Sequence, residues 1–334
     1  MILSYNQRMK LIYMGSGEFG LPTLKRLHEQ HDIVAVVSQP DRPAGRKRKL
    51  TATPIAQWAE APQQNIATFK ANDANEAGFV AEIKNLEADA CVVIAFGQKL
   101  SPELIEASGT LVVNLHASLL PKYRGAAPIN WAMINGDAET GVSVIGLAQK
   151  MDAGLIFGKA TTPIAPYETA GELHDRLSLL GPDLIDDIIA KHLAGTLIGQ
   201  SQNEAQVTKA RKLKKVDGEI DFNQPARDIR CQIHGLTPWP GASTLWQHNS
   251  ADENKTDAHA TPLIIRRVRD VHQDEHKHHD ANITPGTVLS TGLIVTTDGY
   301  IELLEVQVPG KRLMTMKEFS QGHALNPGDC FVSP

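Results

Sequence analysis

The chain has 334 residues, of which 42% are hydrophobic and 21% are charged, and its formal net charge is −5. This balance is typical of globular proteins and excludes collagen-like, fibrous and disordered chains, while the length predicts about two domains that each bury a core. The net negative charge argues against a uniformly basic surface for nucleic acid.

The cysteines and the apolar segments predict the compartment. Cys91, Cys231 and Cys330 lie far apart and form no CxxC pair, which predicts reduced thiols rather than disulfides or a cysteine zinc site. No segment has the features of a signal peptide or the length of a membrane span. The sequence therefore predicts a cytoplasmic protein without a membrane segment.

Short apolar runs rich in β-branched residues recur in the first part of the chain and predict strands buried on both faces of a parallel sheet. These runs cover 10–14, 33–37, 90–95, 111–115 and 142–147. Apolar residues at helical spacing lie between them, over 20–30 and 77–86. The alternation predicts a Rossmann-like, doubly wound α/β domain.

A longer amphipathic segment over 170–194 predicts helix. Thr169 and Glu172 have the spacing of a capping box at its start. Gly181-Pro182 interrupts the pattern, so the segment forms either two packed helices or one kinked helix.

The character of the chain changes near residue 200. The polar and basic stretch over 200–219 predicts a linker. Strands are then predicted over 243–246, 263–268, 287–289, 293–297 and 300–308. Asp298-Gly299 between the last two is typical of a hairpin turn. The pattern predicts a small β-barrel or sandwich, with domains over 9–200 and 220–334 joined by a basic linker over 201–219.

A tract rich in Asp, His, Asn and Thr over 249–285 interrupts this second domain. Within it, the segment 272–280 carries His272, His276, His278 and His279. Imidazoles suit zinc, but too few apolar residues frame the tract to fix a metal geometry. A solvated insertion is therefore the preferred interpretation, and no metal is expected.

Gly15-Ser16-Gly17-Glu18-Phe19-Gly20 matches GxGxxG between a predicted strand and helix, and Asp41 follows about 20 residues later. The match is compatible with a nicotinamide dinucleotide site, and hence with an NAD(P)-dependent oxidoreductase. The loop after Asp41 is strongly basic, however, which departs from that plan. A glycine-rich turn that binds no dinucleotide is the alternative.

Three clusters of cations stand out on this acidic chain. The segment 41–50 holds five cations and one acid, and Pro40, Pro43 and Gly45 predict an irregular loop. Further clusters cover 209–215 and 311–312. Such clusters are either solvated faces or contacts for an extended polyanion such as RNA, with a salt-dependent affinity.

Polar residues also follow the predicted strands. If 111–115 is a strand, Asn114 and His116 point to the same face near its end, where open α/β sheets bind ligands. An amide donor beside an imidazole suits a reaction that builds an oxyanion and moves a proton. Asp152, after the 142–147 strand, is either a carboxylate that orients His116 or part of a turn. A lone histidine at a strand end is otherwise structural.

This region resembles the signature of the formyltransferase family, whose donor is 10-formyltetrahydrofolate. The matching residues are Asn114, His116, Ser118, Leu119, Leu120, Pro121, Arg124, Gly125 and Asp152. Segments elsewhere are similar to the branch of that family that formylates methionyl initiator tRNA. They cover 38–46, 212–222, 237–242, 309–314 and 327–331. The resemblance extends from about Met9 to Phe331.

The resemblance implies a Rossmann-like catalytic domain, a smaller C-terminal β-barrel (OB-like), and a monomer that needs no metal. It also implies that Asn114, His116 and Asp152 are the catalytic residues. The folate co-substrate is expected along Ser118, Leu119, Leu120 and Pro121. The acceptor stem of initiator Met-tRNA is expected along Arg42, Arg46, Lys47, Arg48, Lys49, Lys212, Lys215 and Lys311.

Other functions remain as alternatives. The first is the oxidoreductase already considered. The second is a formyltransferase that acts on a small amine, such as a sugar nucleotide or glycinamide ribonucleotide. The third is an RNA-binding module without catalysis. The basic clusters favour the tRNA substrate over the second, and the Asn-His-Asp set disfavours the third.

Overall fold

In the computed structural model, the described residues are 8–45, 48–248, 260–272 and 283–334. The chain divides into two compact units. The first comprises Met1–Ala126, Thr140–Thr162 and His174–Ala210, and the second comprises Ala127–Glu139, Pro163–Leu173 and Arg211–Pro334. Two stretches within the predicted 9–200 domain therefore pack with the second unit. The predicted domain boundaries themselves stay a prediction.

The elements are numbered in chain order. The strands of the described residues are β1 (Lys10–Gly15), β2 (Asp32–Ser38), β3 (Arg42–Ala44), β4 (Lys49–Thr51), β5 (Thr68–Lys70), β6 (Ala90–Ile94), β7 (Leu111–His116), β8 (Arg124–Gly125), β9 (Glu139–Gly146), β10 (Ile156–Pro163), β11 (Lys209–Ala210), β12 (Ala242–Gln247), β13 (Ala260–Val271), β14 (Ile294–Val295), β15 (Tyr300–Gln307), β16 (Leu313–Thr315) and β17 (Cys330–Val332). The α-helices are α1 (Leu21–Gln30), α2 (Pro54–Ala59), α3 (Ala77–Asn85), α4 (Pro102–Ala107), α5 (Pro128–Ile134), α6 (Ala170–Ser178), α7 (Gly181–Leu193), α8 (Ala226–Gly235) and α9 (Met316–Phe319). Short 3-10 helices cover Glu18–Gly20, Glu204–Gln206 and Lys215–Gly218.

The first unit is built on a seven-stranded sheet in the order β10-β9-β7-β6-β1-β2-β5. β1 pairs in parallel with β2 and β6, and β6 pairs in parallel with β7. Every residue of β6 is buried, as expected for a central strand covered on both faces. The predicted Rossmann-like domain is confirmed.

One strand differs from the parallel arrangement predicted for the apolar runs. β9, which contains the 142–147 run, pairs antiparallel to β7, with Val113 opposite Gly146 and His116 opposite Ser143. An antiparallel strand on a largely parallel sheet is common. Its apolar composition could not reveal this, because a strand buried on both faces looks alike in either direction.

The helices predicted over 20–30, 77–86 and 170–194 are confirmed, and the last of these is two helices, α6 and α7. The capping box is also present: Thr169 N donates to Glu172 Oε2 (2.8 Å), and Glu172 N donates to Thr169 Oγ1 (3.4 Å). A Cβ atom on Gly181 would lie 2.5 Å from Thr23 Oγ1. The glycine at the start of α7 thus lets this helix pack closely against Thr23.

Two of the three glycines in the GxGxxG match have a packing role. A Cβ atom on Gly15 would lie 2.8 Å from the carbonyl oxygen of Ile94, and one on Gly20 would lie 2.0 Å from the Tyr13 hydroxyl. Tyr13 is fully buried, and its hydroxyl donates to the carbonyl oxygen of Gly20 (3.0 Å). The turn therefore needs these two glycines to enclose a tyrosine, and this packing accounts for both of them.

The second unit contains an antiparallel sheet in the order β14-β15-β13-β12-β17, with β16 on β15. Isolated bridges join Thr287 to Cys330 of β17 and Val288 to Ile294 of β14, so the sheet nearly closes on itself. The predicted 287–289 strand is present only as these bridges. Trp246 is fully buried in the core. The smaller C-terminal β-barrel is confirmed.

The basic 41–50 segment was expected to be irregular, and that expectation is wrong for its described part. β3 and β4 pair antiparallel, with Arg42 opposite Thr51 and Ala44 opposite Lys49. Gly45 (φ +69°) and Arg48 (φ +48°) adopt left-handed conformations, which lets the chain reverse. Pro43 fits because an edge strand tolerates the loss of one donor.

The three cysteines are free thiols, and two of them are buried. All three cysteines lie in the described ranges, where none forms a disulfide. Burial raises the pKa of the Cys91 and Cys231 thiols, which keeps them protonated and unreactive. Among the described helices, none is long and apolar enough to cross a membrane.

Candidate active site

Strand β7 carries the first two polar groups of the site. Asn114 and His116 are two residues apart on this strand, so their side chains share one face. His116 is 6% exposed, whereas Asn114 is partly exposed. Among the described residues, the Asn114 side chain forms no hydrogen bond, which leaves its amide available to a ligand.

A backbone group sets the orientation of the His116 ring. Nε2 of His116 lies 2.9 Å from the carbonyl oxygen of Tyr123. A carbonyl only accepts hydrogen bonds, so Nε2 carries the proton and donates it. In the neutral ring, Nδ1 is then unprotonated. Sequence reasoning missed this partner because a backbone carbonyl leaves no signal in the residue types.

Asp152 lies on the Nδ1 side of that ring. Its Oδ1 atom is 3.8 Å from His116 Nδ1, which is an ion-pair distance when the ring is protonated and longer than a hydrogen bond. Its Oδ2 atom accepts a hydrogen bond from the backbone N–H of Gly125 (2.9 Å). The structure thus brings the predicted His116 and Asp152 together, while their catalytic roles stay a prediction.

The connection over 147–155 has to bring Asp152 back to His116. Because β9 runs antiparallel to β7, it ends beside Val113 rather than beside His116. Asp152 adopts a left-handed conformation (φ +54°), which is uncommon for a residue with a side chain. The turn therefore depends on contacts from outside it.

A segment that was predicted to be linker contacts the residues that orient His116. β11 pairs in parallel with β8, which places Lys209 beside Arg124. Thr208 Oγ1 accepts a hydrogen bond from Tyr123 N (2.8 Å). The 202–210 segment thereby fixes the Tyr123 backbone, whose carbonyl orients His116. A polar stretch without periodicity gave no reason to expect this.

The residues predicted to contact folate form a tight turn after β7. Ser118 and Leu120 are fully buried. Ser118 Oγ donates to the carbonyl oxygen of Lys122 (2.7 Å), and its own carbonyl accepts from Ser143 Oγ (2.7 Å). Leu119 and Pro121 are partly exposed. Folate contact with any of the four stays a prediction, and the exposed pair is better placed for it.

Six of the eight residues predicted to contact tRNA are described, and all six are exposed. The exposed ones are Arg42, Arg48, Lys49, Lys212, Lys215 and Lys311, whereas Arg46 and Lys47 lie outside the described residues. Arg42 bonds to Gln39 Oε1 (3.1 Å). Within the described ranges the other five take part in no ion pair. Neighbouring cations are less available, since Arg211 pairs with Asp217 and Arg312 pairs with Glu318.

Of the four histidines considered for metal binding, one lies within the described residues. His272 follows β13, while His276, His278 and His279 lie outside the described residues. Across the described ranges, no group of three or more His, Cys, Asp or Glu residues could hold a metal ion.

Comparison with known proteins identifies the family. The family model for formyl transferase matches residues 8–189, and the model for the formyl transferase C-terminal domain matches residues 212–324. A methionyl-tRNA formyltransferase from Geobacter metallireducens is 38% identical over 325 residues, covering 96% of this chain and 97% of the relative. The chain belongs to the methionyl-tRNA formyltransferase family. A relative of the same name from Solibacter usitatus is 35% identical over 324 residues, covering 96% and 98% of the two chains.

Solved structures of formyltransferases share the fold. WlaRD, a sugar 3-N-formyltransferase crystallised with dTDP and 5-N-formyl-THF, has a TM-score of 0.63 at 17% identity and covers 92% of this chain and 100% of its own. The N-formyltransferase of Helicobacter canadensis, in complex with folinic acid and dTDP-3-aminofucose, also has a TM-score of 0.63 at 17% identity, with coverages of 88% and 97%.

The two family models cover the proposed catalytic residues but not the segment that supports them. Asn114, His116 and Asp152 lie within the matched range 8–189. The 202–210 segment, which fixes the Tyr123 backbone, lies between the two matched ranges. In this formyltransferase, part of the support for the site therefore comes from outside the two matched models.

Proposed function

We propose that this chain transfers the formyl group of 10-formyltetrahydrofolate to the α-amino group of methionyl initiator tRNA. The product would be N-formylmethionyl-tRNA, used for translation initiation in the cytoplasm. The observation that carries the proposal is the amide of Asn114, which forms no hydrogen bond among the described residues and shares a strand with the buried His116. The partly buried Asp152 lies near that ring, and relatives of the chain are named methionyl-tRNA formyltransferase.

The reaction requires a donor for an oxyanion. The neutral amine of methionine attacks the formyl carbon, and the formyl oxygen becomes an oxyanion. The bond from that carbon to N10 of folate then breaks, and the proton lost by the amine is transferred to N10. The free amide of Asn114 is suited to donate a hydrogen bond to the oxyanion, because it has no competing partner among the described residues.

The geometry restricts how His116 takes part. Its Nε2 proton is bonded to Tyr123 O, so a second donor to the oxyanion has to be Nδ1–H of the protonated ring. Asp152 lies at an ion-pair distance from that atom. Asp152 thus stands where it can accept the proton of the attacking amine and pass it toward the leaving nitrogen.

The substrates would contact different groups. Folate would lie along the turn over 118–121, against Leu119 and Pro121. The acceptor stem would contact Arg46, Lys47, Arg48 and the cations of β3 and β4, together with Lys212, Lys215 and Lys311. Exposed cations suit phosphates, since each one adds a salt-dependent contribution to affinity. The enzyme would act as a monomer and without a metal.

The test is direct. The chain is incubated with 10-formyltetrahydrofolate and methionylated initiator tRNA, in parallel with methionylated elongator tRNA and an amino-sugar nucleotide. We expect formylation of initiator tRNA in preference to the other two acceptors. Formylation of the sugar nucleotide alone, or of no acceptor, would contradict the proposal.

A further inference from the structure

The side chain of Gln202 joins the Asp152 turn to Arg124. Its Nε2 atom donates hydrogen bonds to the carbonyl oxygens of Asp152 (2.8 Å) and Gly154 (2.9 Å). Its Oε1 atom accepts from Nε (3.0 Å) and Nη2 (2.8 Å) of Arg124. The amide therefore uses both ends, and one residue of the 202–210 segment grips the turn that carries Asp152.

The orientation of this amide follows from its partners. A guanidinium group only donates hydrogen bonds, and a backbone carbonyl only accepts them. The oxygen of Gln202 must therefore face Arg124, and its amino group must face the carbonyls of Asp152 and Gly154. The reversed amide would oppose like groups at all four contacts.

Arg124 is itself held in place. It is 6% exposed, and its Nη2 atom also lies 2.7 Å from Glu204 Oε1. Its backbone N–H donates to the carbonyl oxygen of Thr208 (2.9 Å). A buried, multiply bonded arginine gives Gln202 a rigid support, so the position of the amide is determined before any substrate binds.

The Asp152 turn needs such a support. Its left-handed backbone is sparsely populated for a residue with a side chain, and among the described residues Oδ2 is held only by Gly125 N. The Gln202 bond to the Asp152 carbonyl fixes the other side of the same residue. Together the two contacts set the distance from the carboxylate to His116.

We propose that Gln202 is a positioning residue for Asp152, acting through the Asp152 backbone rather than on the substrate. The catalytic part of this proposal rests on the proposed function. The structural part, in which Gln202 holds the 147–155 turn, is independent of it.

The variant Gln202→Glu separates positioning from simple stabilisation. The carboxylate keeps the size of the side chain and pairs more strongly with Arg124. It has no donor, however, for the carbonyls of Asp152 and Gly154, and it repels them. The matched control is Gln200→Glu, because Gln200 is exposed and its side chain forms no hydrogen bond within the described residues.

The kinetic experiment measures single-turnover formylation of methionyl initiator tRNA. We expect Gln202→Glu to lower the rate about 100-fold, as for a misplaced catalytic group, with KM for tRNA changed less than about twofold. Gln200→Glu should match the wild type. In an Asp152→Asn background, Gln202→Glu should have no further effect. An equal loss of rate in both backgrounds, or no loss in either, would overturn the proposal.

Hydrogen exchange tests the structural part without any activity. We expect the amides of 147–155 to exchange about tenfold faster in Gln202→Glu than in Gln200→Glu, since two hydrogen bonds to that turn are lost. If the wild type formylates no tRNA but this difference is present, the proposed function fails and the positioning stands. Equal exchange in the two variants would refute the positioning.

Discussion

Two buried histidines, one in each unit, show how the backbone decides what an imidazole can do. His116 is 6% exposed and His234 is 1% exposed, and each uses Nε2 to bond a backbone group. The direction of the hydrogen bond is opposite in the two residues. His116 Nε2 donates to Tyr123 O (2.9 Å), whereas His234 Nε2 accepts from Val268 N (3.2 Å).

The opposite bonds give the rings opposite properties. In its neutral form His116 has a bare Nδ1 near the Asp152 carboxylate. His234 has its proton on Nδ1, which is buried without a partner among the described residues. Burial, together with Arg230 and Arg267, lowers the pKa of His234 to about 4. His234 is thus fixed as a neutral structural residue, while His116 faces the Asp152 carboxylate.

The largest expected effect concerns the group beside His116. Replacing Asn114 by Ala removes the free amide, and loss of one oxyanion donor lowers turnover by about 100- to 1000-fold. Steady-state formylation of methionyl initiator tRNA measures this, with a separate binding assay that should show nearly unchanged tRNA affinity. The control is Asn85→Ala, at an exposed position at the end of α3. Unchanged turnover in Asn114→Ala would remove this amide from the mechanism.

The next effect concerns His234 and the stability of the chain. Because its pKa is about 4 in the folded state and about 6.5 in an unfolded chain, the unfolded state binds more protons between these values. The free energy of unfolding should therefore fall as pH falls from 6.5 to 4, by up to about 3 kcal/mol from this group.

Urea unfolding of the full chain at several pH values measures that effect. The variant His234→Gln keeps an acceptor for Val268 N and does not titrate, so its stability should fall less over pH 6.5 to 4.5. In the folded chain Glu172 takes up a proton only below this pH range. Hydrogen bonds from Arg267 and Thr169 overcome the effect of burial and lower its pKa to about 2. Parallel curves for wild type and variant would show that His234 does not titrate as proposed.

The smallest effect concerns the exposed cations, which lack the fixed bonds of either histidine. Replacing Lys49 by Ala should weaken tRNA binding a few-fold and reduce the slope of log K against log salt by about 1. Titrations at several salt concentrations measure the slope. Lys84→Ala, at an exposed position in α3, should leave it unchanged. If the two variants have the same slope as wild type, the basic hairpin is only a solvated face.

Much of the fold could be predicted from the sequence, because burial on both faces leaves a continuous apolar run. This signal located β1, β2, β6 and β7, and the spacing of Thr169 and Glu172 located a helix start. The direction of β9 could not be predicted, because apolar content is the same in both directions. The β3–β4 hairpin was missed because its reversal depends on backbone conformations rather than on hydrophobic pattern.

The same distinction applies to the site. The spacing of Asn114 and His116 on a strand predicted a shared face. The position of Asp152 after a predicted strand made it a candidate partner, and the family resemblance favoured that role over a turn. The partners that orient them were out of reach: Tyr123 acts through its carbonyl, and Gln202 lies in a polar segment without periodicity. Residue types and spacing reveal side chains that face a ligand, but they reveal little of the contacts that hold those side chains.

We propose that His116 takes part in formyl transfer, whereas His234, which is also buried, only supports the fold. The most direct measurement is the single-turnover rate of initiator tRNA formylation for His116→Gln and His234→Gln, at pH 7 with both variants shown to be folded. We expect the rate of His116→Gln to fall at least about 100-fold and that of His234→Gln to stay close to wild type. A rate that is unchanged in His116→Gln, or equally reduced in both variants, would contradict the claim.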